Sequence, residues 1–99
     1  MRILIVEDDD MLRDGVSVGL RLAGFSPDAV ACLADAQAAL ASGIFEAMVL
    51  DLMLPDGDGL DFTRELRGAA RTRRLPLLML TARGEPTDRV VGLEIGADD

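Results

Sequence analysis

The sequence predicts an α/β domain, a parallel sheet covered by helices. Three observations lead there. The runs Ile3-Leu4-Ile5-Val6, Met48-Val49-Leu50 and Leu77-Leu78-Met79-Leu80 are continuously apolar, as strands buried on both faces are. Stretches with helical period separate them. Each run then ends in polar residues: Glu7-Asp8-Asp9-Asp10, Asp51, and Thr81, which is followed by the small Ala82. Strands that alternate with helices form parallel sheets with right-handed crossovers. The carboxyl ends of such strands share one edge, where ligands of open α/β sheets bind.

Taken in order, residues 2–6 read as a central strand. Asp9 or Asp10 can cap the helix that follows, from Met11 to Ala23, whose Leu12, Val16, Leu20 and Ala23 share a face. Gly24 is a suitable stop. Residues 25–31 are short and carry Pro27, which cannot donate to a ladder, so they are expected as an edge strand. Residues 33–42 are Ala-rich and helical up to Gly43. Residues 45–50 form the strand that delivers Asp51, and Pro55-Asp56-Gly57-Asp58-Gly59 is a turn. A helix follows from about 59 to 67 or a little beyond, with Phe62, Leu66 and, if it reaches that far, Ala69 on its inner face. Arg71, Arg73 and Arg74 make a solvated basic run before Pro76. Residues 77–80 are the fourth strand and 83–87 a polar loop. A short helix is expected over 88–95, capped by Thr87 or Asp88 and stopped by Gly96. No repeat or linker interrupts residues 1–99, which suit one domain.

Composition narrows the function. Hydrophobic residues make up 49% of the chain but aromatics only 3%, so Leu, Val, Ile, Ala and Met must fill the core. A net charge of −8 argues against this segment gripping nucleic acid, which needs a basic face. Cys32 is the single cysteine and there is no His, so neither an internal disulfide nor a zinc site is available. No basic apolar leader precedes the first strand, and no apolar run approaches the ~20 residues of a membrane span. A reducing cytoplasm is the expected setting.

The chemistry gathers at the strand ends. Glu7, Asp8 and Asp51 converge if the first and third strands are neighbours. Clustered carboxylates raise one another's pKa values unless a cation sits among them. Mg²⁺ suits them, because it takes hard oxygen ligands and only one or two carboxylates beside a phosphate oxygen. A carboxylate next to Mg²⁺ can attack phosphorus and form an aspartyl-phosphate, and Thr81 can offer its hydroxyl to a phosphoryl oxygen.

These stretches, with Val49-Leu50-Asp51-Leu52-Met53-Leu54-Pro55-Asp56-Gly57-Asp58-Gly59, Leu78-Met79-Leu80-Thr81-Ala82 and Gly92-Leu93-Glu94-Ile95-Gly96-Ala97-Asp98-Asp99, resemble the receiver domain of bacterial two-component response regulators. The turn and the Gly-Ala-Asp-Asp ending are most similar to the OmpR/PhoB type. The resemblance implies a flavodoxin-like, doubly wound sheet of order 2-1-3-4. It implies Asp51 as phosphoacceptor and Thr81 as the switch hydroxyl. For the metal it implies Asp8 as direct ligand, Glu7 acting largely through water, Asp51, and the backbone carbonyl of Met53. The family pattern continues past Asp99 into a fifth strand with an aromatic switch residue and a Lys-Pro pair, then a fifth helix. The resemblance therefore implies a C-terminally incomplete receiver. The chain has no lysine. Without a fifth strand the fourth becomes an edge, and its unpaired apolar ladder invites a second copy.

The expected function is a phosphorylation-controlled switch rather than a turnover enzyme. A partner histidine kinase supplies the phosphoryl group. Phosphorylation draws Thr81 inward and shifts the 83–87 loop and the following helix. The intact protein then dimerises and drives an output domain, which for the OmpR/PhoB type binds DNA. The alternatives are an effector-less receiver or an interaction module that is never phosphorylated. An aspartyl-phosphate phosphatase wants an acid two residues past the nucleophile, where Met53 stands. An EF-hand starting at Asp56 needs Gly and Glu where Asp61 and Arg67 stand.

Overall fold

A computed structural model describes residues 1–82 and 89–94, with Met53, Thr81, Ala82 and 89–94 described by their backbone. The elements run β1 (Arg2–Val6), α1 (Asp10–Leu22), β2 (Ser26–Val30), α2 (Leu33–Ser42), β3 (Ala47–Asp51), β4 (Met53–Leu54), β5 (Gly57–Asp58), α3 (Gly59–Gly68), β6 (Leu77–Ala82) and β7 (Arg89–Glu94). The main sheet has the order β2-β1-β3-β6-β7, and β4 and β5 pair separately as a small antiparallel hairpin.

The first four strands of that sheet are parallel and follow the expected 2-1-3-4 order. Edge strand β2 holds Pro27 opposite Ile3, where a missing N–H costs least. The helices fall close to their expected bounds. Asp9 caps α1 by accepting from Leu12 N–H at 3.1 Å, and Gly24 follows the helix with φ +98°. Phe62 and Leu66 of α3 are buried, but Ala69 is exposed. In α1, Leu12, Val16 and Leu20 are only half-buried and Ala23 is exposed. None of the described helices is long and apolar enough to cross a membrane.

Two expectations are overturned at the end of the chain. Residues 89–94 form a strand, not part of a helix over 88–95, and β7 runs antiparallel to β6 from Leu77↔Glu94 to Ala82↔Arg89. Val90 and Val91 are β-branched and Gly92 is a poor helix former, so intrinsic helix preference there is weak. The apolar β6 offers the segment a full ladder of hydrogen bonds instead. The fourth strand is thus interior, and the self-association expected through its open edge loses its basis. The 83–87 loop, the cap at Thr87 or Asp88 and the Gly96 stop lie outside the described residues.

The core divides across the sheet. Leu4, Val6, Met48, Leu50, Leu77 and Met79 pack with Ala36, Phe62 and Leu66 under α2 and α3. Ile3, Ile5 and Val49 meet Val16 and Leu20 of α1 on the other face. This alternation is the period of two that any strand imposes.

Candidate functional site

The parallel register brings the strand ends together. Val6 lies beside Leu50, and Asp51 lies beside Leu80. Glu7 and Asp8 come next along the first strand, and Thr81 comes next after Leu80. Carboxylate oxygens of Glu7, Asp8 and Asp51 lie within 4.8 Å of one another. Glu7 and Asp51 are only 2% and 7% exposed, while Asp8 opens to solvent. Met53 is in β4, two residues beyond Asp51.

Glu7 is held by its neighbours in the chain. Glu7 Oε2 accepts the Asp9 N–H at 2.9 Å, and the Glu7 carbonyl accepts Arg13 Nη1 at 2.9 Å. The same guanidinium pairs with Asp10, so the β1–α1 turn is stapled to the first turn of α1. Beyond Asp51 the backbone folds back sharply. Leu52 N–H donates to Leu80 O, and Gly59 N–H donates to Leu52 O, both at 3.1 Å. A Cβ on Gly59 would stand 2.7 Å from Leu52 Cα and 3.0 Å from the Asp51 carbonyl, so only glycine admits this approach. Asp58 caps α3 by accepting from Leu60 N–H at 2.8 Å. Asp56 reaches the N-terminus of α2, accepting from Leu33 N–H at 2.9 Å and Ala34 N–H at 3.1 Å.

Burial and the neighbouring acids both show in the protonation of Glu7. Glu7 is pushed up to about 7, first by burial, then by the negative charge of Asp51 and by hydrogen bonding to Asp51 and Asp8; the Asp9 N–H opposes the rise. Packed carboxylates of this kind call for a hard divalent cation. The donors are all oxygen, which fits Mg²⁺ and not zinc or copper.

The structure thus brings together Glu7, Asp8 and Asp51, with the backbones of Met53 and Thr81 following Asp51 and Leu80. Sequence reasoning did not single out Arg13, Asp56 or Gly59 individually. Arg13 lies four residues past Asp9, one helical turn into α1, which is a weak signal. The signal for Asp56 is an omission: α2 begins after Cys32, and Cys32 makes no side-chain cap bond. The N–H groups at that helix end therefore need an acceptor from elsewhere.

Comparison with known proteins agrees with this geometry. Residues 3–99 match the response regulator receiver domain. Over all 99 residues the chain is 44% identical to the transcriptional regulatory protein BasR of Escherichia coli K12, of which it spans 44% of the length. A sensor protein from Polaromonas sp. JS666 superposes with a TM-score of 0.79 at 39% identity, covering 83% of this chain and 66% of that one. The response regulator protein TrrA of Thermotoga maritima, solved in complex with Mg²⁺ and BeF, superposes with a TM-score of 0.75 at 25% identity, covering 88% of this chain and 75% of that one.

Proposed function

The chain belongs to the response regulator receiver domain family, and from that premise we propose that it is a phosphorylation-dependent signalling switch with Asp51 as its phosphoacceptor. The observation that carries this reading is the convergence of Glu7, Asp8 and Asp51 at the carboxyl edge of the sheet.

An Asp51 carboxylate oxygen attacks phosphorus in line, forming an O–P bond as the bond from phosphorus to the donor nitrogen of a kinase phosphohistidine breaks. Asp8, Asp51 and the Met53 carbonyl would hold Mg²⁺, and Glu7 would act on it largely through water. When bound, that ion neutralises the phosphoryl oxygens. Glu7 sheds its proton to take part, which its pKa of about 7 allows near neutral pH. Thr81 donates its hydroxyl to a phosphoryl oxygen, and its movement passes the charge change to the segment beyond β6. The Mg²⁺ and BeF in the TrrA complex support the same ligand chemistry here.

The domain is a signalling module acting in the cytoplasm rather than a turnover enzyme. The chain spans less than half the length of the curated relatives it matches; for the whole protein we infer a sensor histidine kinase and a second copy as partners. Its output is transcription control through a DNA-binding domain, in keeping with BasR's description as a transcriptional regulator.

Intact-mass analysis after incubation with Mg²⁺ and a small phosphoryl donor tests the assignment. One added phosphoryl group, absent from Asp51→Asn and lost when Mg²⁺ is chelated, is expected. A label that persists in Asp51→Asn, or no label on either protein, overturns it.

A further inference from the structure

The hairpin after the phosphoacceptor is too short to hold its own shape. Only Met53↔Asp58 and Leu54↔Gly57 pair across it, and an isolated two-stranded hairpin is marginal even when longer. Its geometry must be imposed from outside. The base is fixed by the Gly59–Leu52 backbone bond and by Asp58 on α3. The tip, Pro55-Asp56, is fixed by the Asp56 carboxylate, which puts one oxygen on each of the Leu33 and Ala34 N–H groups.

As a helix cap, this pair of bonds stands apart among the described helices for its range. Helices α1 and α3 are capped by the residue just before them, Asp9 and Asp58. Helix α2 takes its cap from across the fold, because Cys32 supplies none. The two parts also touch: a Cβ on Gly57 would come within 2.7 Å of Leu33 Cδ1. The N–H groups at this helix end hold the Asp56 carboxyl below the usual Asp value.

We propose that Asp56 is a positioning residue for the metal site, clamping the hairpin tip to the N-terminus of α2 and thereby fixing the backbone carbonyl of Met53. The inference rests on the reading of that carbonyl as a metal ligand. Asp56 does not touch the metal; it removes the freedom that the hairpin would otherwise lose on binding. Linkage makes the effect reciprocal. If the clamp strengthens metal binding, metal binding strengthens the clamp by the same factor. The bonds to Leu33 and Ala34 then become a reporter of site occupancy, located on a helix that contributes no ligand.

Mg²⁺ titration followed by backbone amide NMR tests this on the chain and on two variants. Asp56→Ala is expected to weaken Mg²⁺ binding by at least about fivefold. Asp56→Asn, which keeps one carbonyl acceptor, falls between it and the original. In the unmutated chain, saturating Mg²⁺ slows hydrogen exchange at the Leu33 and Ala34 amides by a comparable factor. A general loss of stability would not produce that second result, and it requires no variant. Unchanged affinity in Asp56→Ala, or exchange at Leu33 and Ala34 indifferent to Mg²⁺, overturns the clamp while leaving the metal site standing. A chain whose Glu7, Asp8, Asp51 and Met53 amides do not respond to Mg²⁺ overturns the metal reading and the clamp together.

Discussion

The two faces of the sheet are built differently. Under α2 and α3, Leu4, Val6, Met48, Leu50 and Leu77 are closed off with Ala36, Phe62 and Leu66. Under α1, among the described residues, only Ile3, Ile5 and Val49 are buried, and α1 itself contributes no buried residue. Its Met11 and Leu22 are 85% and 84% exposed. The two buried acids, Glu7 and Asp51, belong with the thinner face. Asp51 has the strand parity of Val49, and Glu7 follows that of Ile3 and Ile5. Packing energy is therefore concentrated away from the carboxylates. Charge at the site can change without disturbing the part of the core that holds the fold.

The largest test of that contrast is Leu50→Ala on the thicker face. Deleting a fully buried Leu side chain there should cost about 3 to 4 kcal/mol in urea unfolding. Mg²⁺ affinity of the folded fraction should change little.

A second test reads the site electrically. The Glu7 carboxyl lies at about 7 when folded against an ordinary 4.5, so the native state binds the extra proton between those values. Its contribution to stability is fully present below pH 4.5 and is lost as pH rises through 7. The size is on the order of 3 kcal/mol. Urea midpoints without Mg²⁺ should fall from pH 5 to pH 8, and Glu7→Gln should flatten the slope. Mg²⁺ competes with the same proton, so its affinity should rise with pH across this window. Asp56, whose carboxyl is lowered below 3.8, acts in the opposite sense and only in more acidic solution.

Val49→Ala, on the thinner face, should cost roughly 2 kcal/mol. A cost equal to that of Leu50→Ala would erase the distinction between the faces. The smallest effect is expected from Asp9→Ala, about 1 kcal/mol through the lost α1 cap. Mg²⁺ titration of this variant sharpens the comparison. The Glu7 carboxylate is held by the Asp9 backbone N–H, which the substitution keeps, so its Mg²⁺ affinity should stay close to the original.

Much of this is legible in the sequence. Unbroken apolar runs identified β1, β3 and β6, because a strand buried on both faces has no polar side to show. Pro27 marked β2 as an edge. Acids placed just past two of those runs located the site, since parallel strands must end together. The helix expected over 88–95 failed for a reason equally local in origin. Val90, Val91 and Gly92 prefer helix weakly, and the unpaired ladder of β6 decided the outcome. The reach of Arg13 to the Glu7 carbonyl and of Asp56 to the start of α2 was hidden, because a backbone carbonyl and helix-end amides carry no signature in side-chain type.

The sequence by itself determined the alternation of strands and helices, the acids at the strand ends and the caps that lie next to their own helices. All of these follow from periodicity and propensity within a few residues. Tertiary structure alone decided that Asp56 caps a helix 22 and 23 residues away, that Arg89–Glu94 pairs as a strand, and that Glu7 titrates near neutrality. Each depends on a group left unsatisfied or desolvated only once the chain has folded: an open helix end, an unpaired strand edge, a carboxylate buried beside another.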